Sequence, residues 1–333
     1  MTKEKITIIG SGALGTSLGK VLFDGGSENI VFYGLNKKEL FDLSNGSNIK
    51  YFPDSIKLPK FKTTTSLKDA IDGAKYVLIA VPSSAMSIVY PQIIENISSE
   101  VLIICGSKGF FPGTKKSLHK GMKELSKRNK NIRGVVSLIG PSHAEEIVKE
   151  VPTSIAAVSR SDQNNIEVQN LFSNRYMRIY TQRDVKGAEV GAAYKNVIAI
   201  ASGIINGLGL GINYSAALLT RGMKEMSVFN KFHKGKRETI MGLTGLGDLI
   251  VTATSELSRN FTFGKELITI GKQKALASKA TIEGLFALDI IYLIGQENGL
   301  DLPIVYALHD IIRGKDEPEF FYVKLSNRKL EAE

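Results

Sequence analysis

Lys5-Ile6-Thr7-Ile8-Ile9-Gly10-Ser11-Gly12-Ala13-Leu14-Gly15 decides the fold. The first five residues read as a buried strand. The next six are G-x-G-x-x-G, and residues 16–23 read as a helix. Strand, glycine motif and helix in this order make a dinucleotide-binding unit. Gly10 allows the tight turn, Gly12 lets the backbone approach a pyrophosphate, and Gly15 lets helix pack on strand. The helix start offers free N–H groups and a positive dipole end to phosphates.

Outward from this stretch, strands at 30–33, 76–81, 101–105 and 135–138 alternate with helices at 66–72, 85–97 and 114–126. That rhythm predicts a doubly wound α/β fold with a mostly parallel sheet, extended by shorter strands near 154–158 and 177–180. Ligands sit at the carboxyl ends of such strands. An NAD-selective site usually carries Asp or Glu at the end of the second strand. Here Gly34-Leu35-Asn36 precede Lys37-Lys38, so no carboxylate stands there to repel a 2′-phosphate, and NAD and NADP both remain open.

Two strand ends carry unusual chemistry, Val81-Pro82-Ser83-Ser84 and Ser107-Lys108-Gly109. Lys108 would point into the ligand crevice, although a lone strand-end lysine also fits plain solvation. Gly140-Pro141-Ser142-His143-Ala144-Glu145 follows the next strand. Ser142 with Glu145 predicts a capping box, and the helix start could hold an anion.

From 187 onward helical periods dominate, which places a Rossmann-type domain at 1–184 and an all-helical domain at 185–333. Gly187-Ala-Glu-Val-Gly-Ala-Ala-Tyr-Lys-Asn196 opens a long apolar helix. Lys195 shares a face with Gly191, Ala192, Ala199 and Ser202, so something can approach the backbone closely there. Desolvation on that face would suit the lysine to proton transfer near neutral pH. Taken alone, the stretch also fits a lysine that reaches the surface from a packed helix. Asp248, between Gly247 and an apolar run, reads as a helix N-cap or as a carboxylate aimed at Lys195 or a substrate hydroxyl. Ser258-Arg259-Asn260 at a helix start supplies the groups that a phosphate monoester needs: N–H groups, a guanidinium and an amide. A capped helix with an exposed arginine is the plainer alternative. Glu283 reads as a first-turn dipole partner or a cofactor ligand.

Composition bounds the rest. The chain has 333 residues, 43% of them hydrophobic and 23% charged, as in a globular protein. A single cysteine, Cys105, excludes an intramolecular disulfide, and the histidines at 119, 143, 233 and 309 lack metal spacing, so no metal site is expected. The net charge of +10 suits anionic small molecules; the lysines are spread out, which argues for a solvated face and against a nucleic-acid partner. The apolar stretch 197–219 is broken by Gly207, Gly209 and Gly211, so it predicts two buried helices rather than a membrane span. With no signal-peptide pattern, a cytoplasmic location is expected.

Together these stretches resemble the NAD(P)-dependent glycerol-3-phosphate dehydrogenase family of bacteria along the whole chain. The resemblance rests on GSGALGT, VPSS, SKG, GPSHAEE, GAAYKNVIAIASG, LTRGMKEM, GLTGLGDLIVT, SRNFTFG and IEG in the family's order. It implies a Rossmann domain, a helical domain, an active site between them, and reversible reduction of dihydroxyacetone phosphate to sn-glycerol 3-phosphate, which supplies glycerophospholipid synthesis. It implies that Lys195, Lys108 and Asp248 are the catalytic residues and that Lys108 touches substrate and cofactor. Gly140, Ser142, Asp248, Ser258, Arg259 and Asn260 would contact the phosphorylated triose. Gly10, Ser11, Gly12, Ala13, Leu14, Gly15, Asn36, Ala144, Arg259, Thr281 and Glu283 would contact NAD or NADP. Leu14 replaces the usual aromatic, and Leu35 and Asn36 stand where the family often has His or Arg, which weakens a strong NADP preference. A homodimer stays open. Two rivals remain: a related dehydrogenase of another hydroxy or keto acid, and a non-catalytic dinucleotide sensor.

Overall fold

Alternation along the strands builds the first half of the molecule. In β1 (Lys5–Ile9), Ile6 and Ile8 face one apolar cluster and Ile9 the other. In β4 (Ala74–Ile79), Tyr76 and Leu78 join the first cluster, Val77 and Ile79 the second. In β5 (Val101–Cys105), Leu102 and Ile104 oppose Val101, Ile103 and Cys105 in the same way. Strands that are apolar on both faces belong in the middle of a sheet covered on both sides. Cys105 is accordingly buried, its Sγ donating to Ser107 O at 3.5 Å.

The computed structural model describes residues 4–277 and 282–327. β2 (Ile30–Tyr33), β3 (Lys62–Thr64), β6 (Ile132–Ile139), β7 (Thr153–Val158) and β8 (Met177–Gln182) complete one eight-stranded sheet in the order β3-β2-β1-β4-β5-β6-β7-β8. Every pairing is parallel except β6 with β7, which is antiparallel. The doubly wound, mostly parallel sheet read in the sequence is therefore present. β3 was not foreseen. It is a three-residue edge strand of Lys62, Thr63 and Thr64, and it carries no apolar residue that could signal it.

The chain divides into two compact units, Met1–Val185 and Lys186–Glu333. Every element described in the second unit is helical. Its longest, Val185–Gly207, has the length and hydropathy of a membrane span, but that apolar window is wholly buried inside the protein. The next helix, Gly211–Phe232, departs from the expected second buried helix. Ile212 at its start is 84% exposed, and only a stripe of Leu218, Gly222, Glu225, Met226, Phe229 and Asn230 turns inward. It is an amphipathic helix, apolar at the spacing of one face.

Candidate active site

The glycine motif is built by its neighbours' backbones. Gly10 has φ +115°, and a Cβ there would fall 2.6 Å from Ala80 O; a Cβ on Gly15 would fall 2.2 Å from Gly10 O. Both positions are closed by the chain itself. At Gly12 a Cβ would meet only the Tyr51 hydroxyl, at 3.9 Å. The Ala13–Asp24 helix begins there with no side-chain cap, so its first N–H groups are not claimed by a side chain. An open glycine at an uncapped helix start fits a dinucleotide pyrophosphate. Ser11, Ala13 and Leu14 lie in the same turn.

Asn36 caps the Lys37–Ser44 helix, its Oδ1 accepting from Lys38 N and Glu39 N. Here the sequence reading needs correction. A carboxylate does stand near the glycine motif, that of Glu39, whose Oε2 accepts from Ser11 Oγ at 2.6 Å. It follows Lys38 directly, and the first turn of the helix folds it back.

Lys108, Gly140 and Ser142 come together at the carboxyl ends of β5 and β6. Lys108 Nζ donates to Gly140 O at 2.8 Å and to Ser142 Oγ at 3.2 Å. Gly140 has φ +149°, and a Cβ there would lie 2.9 Å from Ile155 Cα, so only glycine fits. The capping box does not form. The helix Ala144–Ile147 is a single turn capped by His143 without a side-chain bond, and Ser142 Oγ bonds Gly140 O at 3.0 Å instead. The competing partners, Gly140 and Lys108, draw the hydroxyl away from the helix. Ala144 is buried at that helix start.

In the second unit, Lys195 Nζ donates to Asp248 Oδ1 at 2.7 Å and to Thr252 Oγ1 at 2.9 Å. The ion pair is buried, with 8% of the Lys195 side chain and 1% of the Asp248 side chain exposed. Asp248 opens the Asp248–Ala253 helix, which puts Thr252 one turn on and on the same face. The small residues beside Lys195 serve a purpose the sequence did not reveal. What approaches the backbone is the chain itself: a Cβ on Gly191 would lie 2.3 Å from Thr244 O and 2.9 Å from Gly245 Cα. Gly191 thus admits the π-helical segment Leu243–Gly247, which delivers Asp248 to Lys195. Thr252 was missed; its only signal was its position four residues after Asp248.

Arg259 is exposed at the start of the Arg259–Glu266 helix, and Ser258 caps it by accepting from Phe261 N at 3.3 Å. Asn260 is held on both sides of its amide. Its Nδ2 donates to Asn196 Oδ1 at 3.0 Å and its Oδ1 accepts from Gly284 N at 2.9 Å. It ties the Arg259 helix to the residue after Lys195 and to the start of the Glu283–Asn298 helix. Glu283 sits in that first turn, while Thr281 lies outside the described residues. On the Lys195 helix, Tyr194 donates to Glu225 Oε2 at 3.1 Å, and Glu225 accepts from Ile304 N at 2.6 Å. Burial pushes Glu225 up to about 8 and Tyr194 well above the usual phenol range.

Comparison with known proteins bears on both units. Residues 5–165 match the model of the NAD-dependent glycerol-3-phosphate dehydrogenase N-terminus, and residues 184–322 match that of its C-terminus. The chain belongs to the NAD-dependent glycerol-3-phosphate dehydrogenase family. A glycerol-3-phosphate dehydrogenase [NAD(P)+] of Mycoplasma mobile is 51% identical over 330 residues, covering 99% of this chain and 98% of that one. One from Clostridium botulinum is 37% identical over 333 residues, with 99% of each covered. The crystal structure of the glycerol-3-phosphate dehydrogenase of Coxiella burnetii matches with a TM-score of 0.88 at 31% identity, covering 98% of this chain and 99% of that one. Membership of this dehydrogenase family agrees with the open glycine motif and the helical second unit.

Proposed function

We propose that this family member catalyses the reversible reduction of dihydroxyacetone phosphate to sn-glycerol 3-phosphate, using NADH or NADPH. The observation that carries the reading is the buried Lys195–Asp248 pair, fixed further by Thr252. Reduction adds a hydride to the carbonyl carbon and a proton to its oxygen. A bound nicotinamide cofactor supplies the hydride. The Lys195 ammonium gives the proton, and in the reverse direction the amine takes it from the hydroxyl. Asp248 and Thr252 hold Nζ in place before substrate arrives.

Gly10, Ser11, Gly12, Ala13, Leu14 and Gly15 hold the cofactor's pyrophosphate, with Asn36, Ala144 and Glu283 as further contacts. Lys108 touches substrate and cofactor, and Gly140 and Ser142, which it already bonds, contact substrate. Arg259 and Ser258 hold the phosphate, and Asn260 keeps their helix beside Lys195. We place the enzyme in the cytoplasm as a homodimer, its product feeding glycerophospholipid synthesis. Light scattering checks the assembly. The deciding assay is oxidation of NADH or NADPH by the purified protein with dihydroxyacetone phosphate. No turnover with either cofactor overturns the reading.

A further inference from the structure

We propose that the Glu39–Lys50 ion pair sets the balance between NADH and NADPH, with Lys50 receiving a 2′-phosphate and Glu39 opposing it. The proposal rests on the dinucleotide reading above. Glu39 is buried in the first turn of the helix that follows β2. Its Oε2 accepts from Ser11 Oγ at 2.6 Å. Its Oε1 accepts from Lys50 Nζ at 2.6 Å, Asn36 Nδ2 at 3.1 Å and the Tyr51 hydroxyl at 3.3 Å. The end of β2 is itself joined to the glycine motif, since Gly10 N donates to Tyr33 O at 2.9 Å. In dinucleotide folds an acidic side chain beyond the second strand meets the ribose 2′-hydroxyl. Glu39 reaches the same neighbourhood from one helical turn later.

The pair is asymmetric in a way that matters for an anion. The Lys50 side chain is 55% exposed and that of Glu39 only 8%. An incoming phosphate therefore meets the ammonium first and the carboxylate behind it. Lys50 Nζ also lies 5.0 Å from the Tyr51 ring centroid, and the Tyr51 hydroxyl is what a Cβ on Gly12 would meet. The hydrogen bonds to Glu39 and Tyr51 hold the Lys50 ammonium above the usual lysine range, so it is charged at neutral pH. With the two charges balanced, neither cofactor is rejected outright.

A rival account makes Glu39 a clamp that only fixes Ser11 and the loop. A clamp acts on the pyrophosphate, which both cofactors share, and so moves both affinities together. A selector moves them apart, and its two halves move them in opposite senses. Removing Lys50 deletes the attraction and bares the carboxylate; neutralising Glu39 releases the ammonium.

The experiment measures the dissociation constants of NADH and NADPH by nucleotide fluorescence, without substrate. It compares the wild type, Lys50→Met and Glu39→Gln. Lys50→Met changes a half-exposed side chain and leaves the core untouched. It raises the ratio Kd(NADPH)/Kd(NADH) about tenfold or more, the size of one charged hydrogen bond. Glu39→Gln lowers that ratio by about threefold or more, and both shifts shrink with added salt. The same pattern is expected for 2′,5′-ADP against 5′-AMP, which isolates the 2′-phosphate. A ratio unchanged in both variants, or moved the same way by both, overturns the selector. Failure of the wild type to bind either dinucleotide overturns the dinucleotide reading as well.

Discussion

Lys195 Nζ lies 2.7 Å from Asp248 Oδ1 although the two residues are 53 positions apart, and water reaches almost none of either side chain. A buried pair of this kind gives little net stability, because desolvation of both charges offsets their attraction. In the proposed mechanism its value is orientation of the Lys195 ammonium. Lys195→Met removes the proposed proton donor and should lower kcat by ~10²-fold or more. The variant also leaves Asp248 buried without its cation, so melting temperature and NADH affinity are measured beside kcat. Retained NADH binding with lost turnover supports the role; near-normal turnover removes it.

Gly191 tests how that pair is delivered. A methyl group there falls 2.3 Å from Thr244 O, a backbone atom that can move only with its segment. Gly191→Ala therefore destabilises the fold by roughly 1–3 kcal/mol, as overpacking does. It also displaces the Leu243–Gly247 segment that precedes Asp248. Turnover at a temperature where the variant is folded should drop at least tenfold, since misplacement by about 1 Å costs rate steeply. A variant with a lowered melting temperature but full kcat shows that Asp248 reaches Lys195 independently of this contact.

These two cases mark what was legible in the sequence. The strands β2 and β5 could be read because continuous apolar runs are bounded by turns and a glycine, and β1 because Ile6, Ile8 and Ile9 lead directly into the glycine motif. The site residues could be read where a motif fixed them locally, as in Gly10 to Gly15. Partners across long separations could not. Nothing near Gly191 announces Thr244, and nothing at Leu35 or Asn36 shows that Glu39 folds back onto Ser11. The capping box at Ser142 failed for the same reason. Lys108, 34 residues away, takes the hydroxyl that a local rule assigned to the helix.

His119 gives the fold a dependence on pH that is separate from catalysis. It is buried with Nδ1 3.0 Å from Ser137 Oγ, and burial, aided by the charges of Lys123 and Arg160, pushes its imidazole down to about 4. The folded state therefore keeps the ring neutral while the unfolded chain protonates it below its ordinary value of 6.5. The stabilising contribution is fully present above pH 6.5 and is lost as pH falls toward 4, by roughly 3 kcal/mol in all. His119→Gln removes this titration, so the difference in unfolding free energy between wild type and variant should change across that window. A difference that stays constant from pH 7 to pH 4 contradicts the depressed value.

Arg259 tests the substrate. It stands exposed at the start of an eight-residue helix whose cap, Ser258, bonds Phe261 N. A phosphate dianion there meets the positive end of the helix and the guanidinium together. A charged hydrogen bond of this kind is worth ~1.5–3 kcal/mol. Arg259→Ala should accordingly lower kcat/KM for dihydroxyacetone phosphate about ten- to a hundredfold. Unphosphorylated dihydroxyacetone lacks the charge, so its poor rate should change much less, apart from any cofactor contact that both substrates share. The comparison needs kcat/KM for both substrates in wild type and variant, at one fixed ionic strength. Asn260→Ala is the useful contrast, because Asn260 bonds Asn196 and Gly284 and so acts on the position of the helix rather than on phosphate charge. It should lower the two rates by similar factors. If Arg259→Ala behaves as Asn260→Ala does, Arg259 holds the helix or the cofactor, and the phosphate is recognised elsewhere.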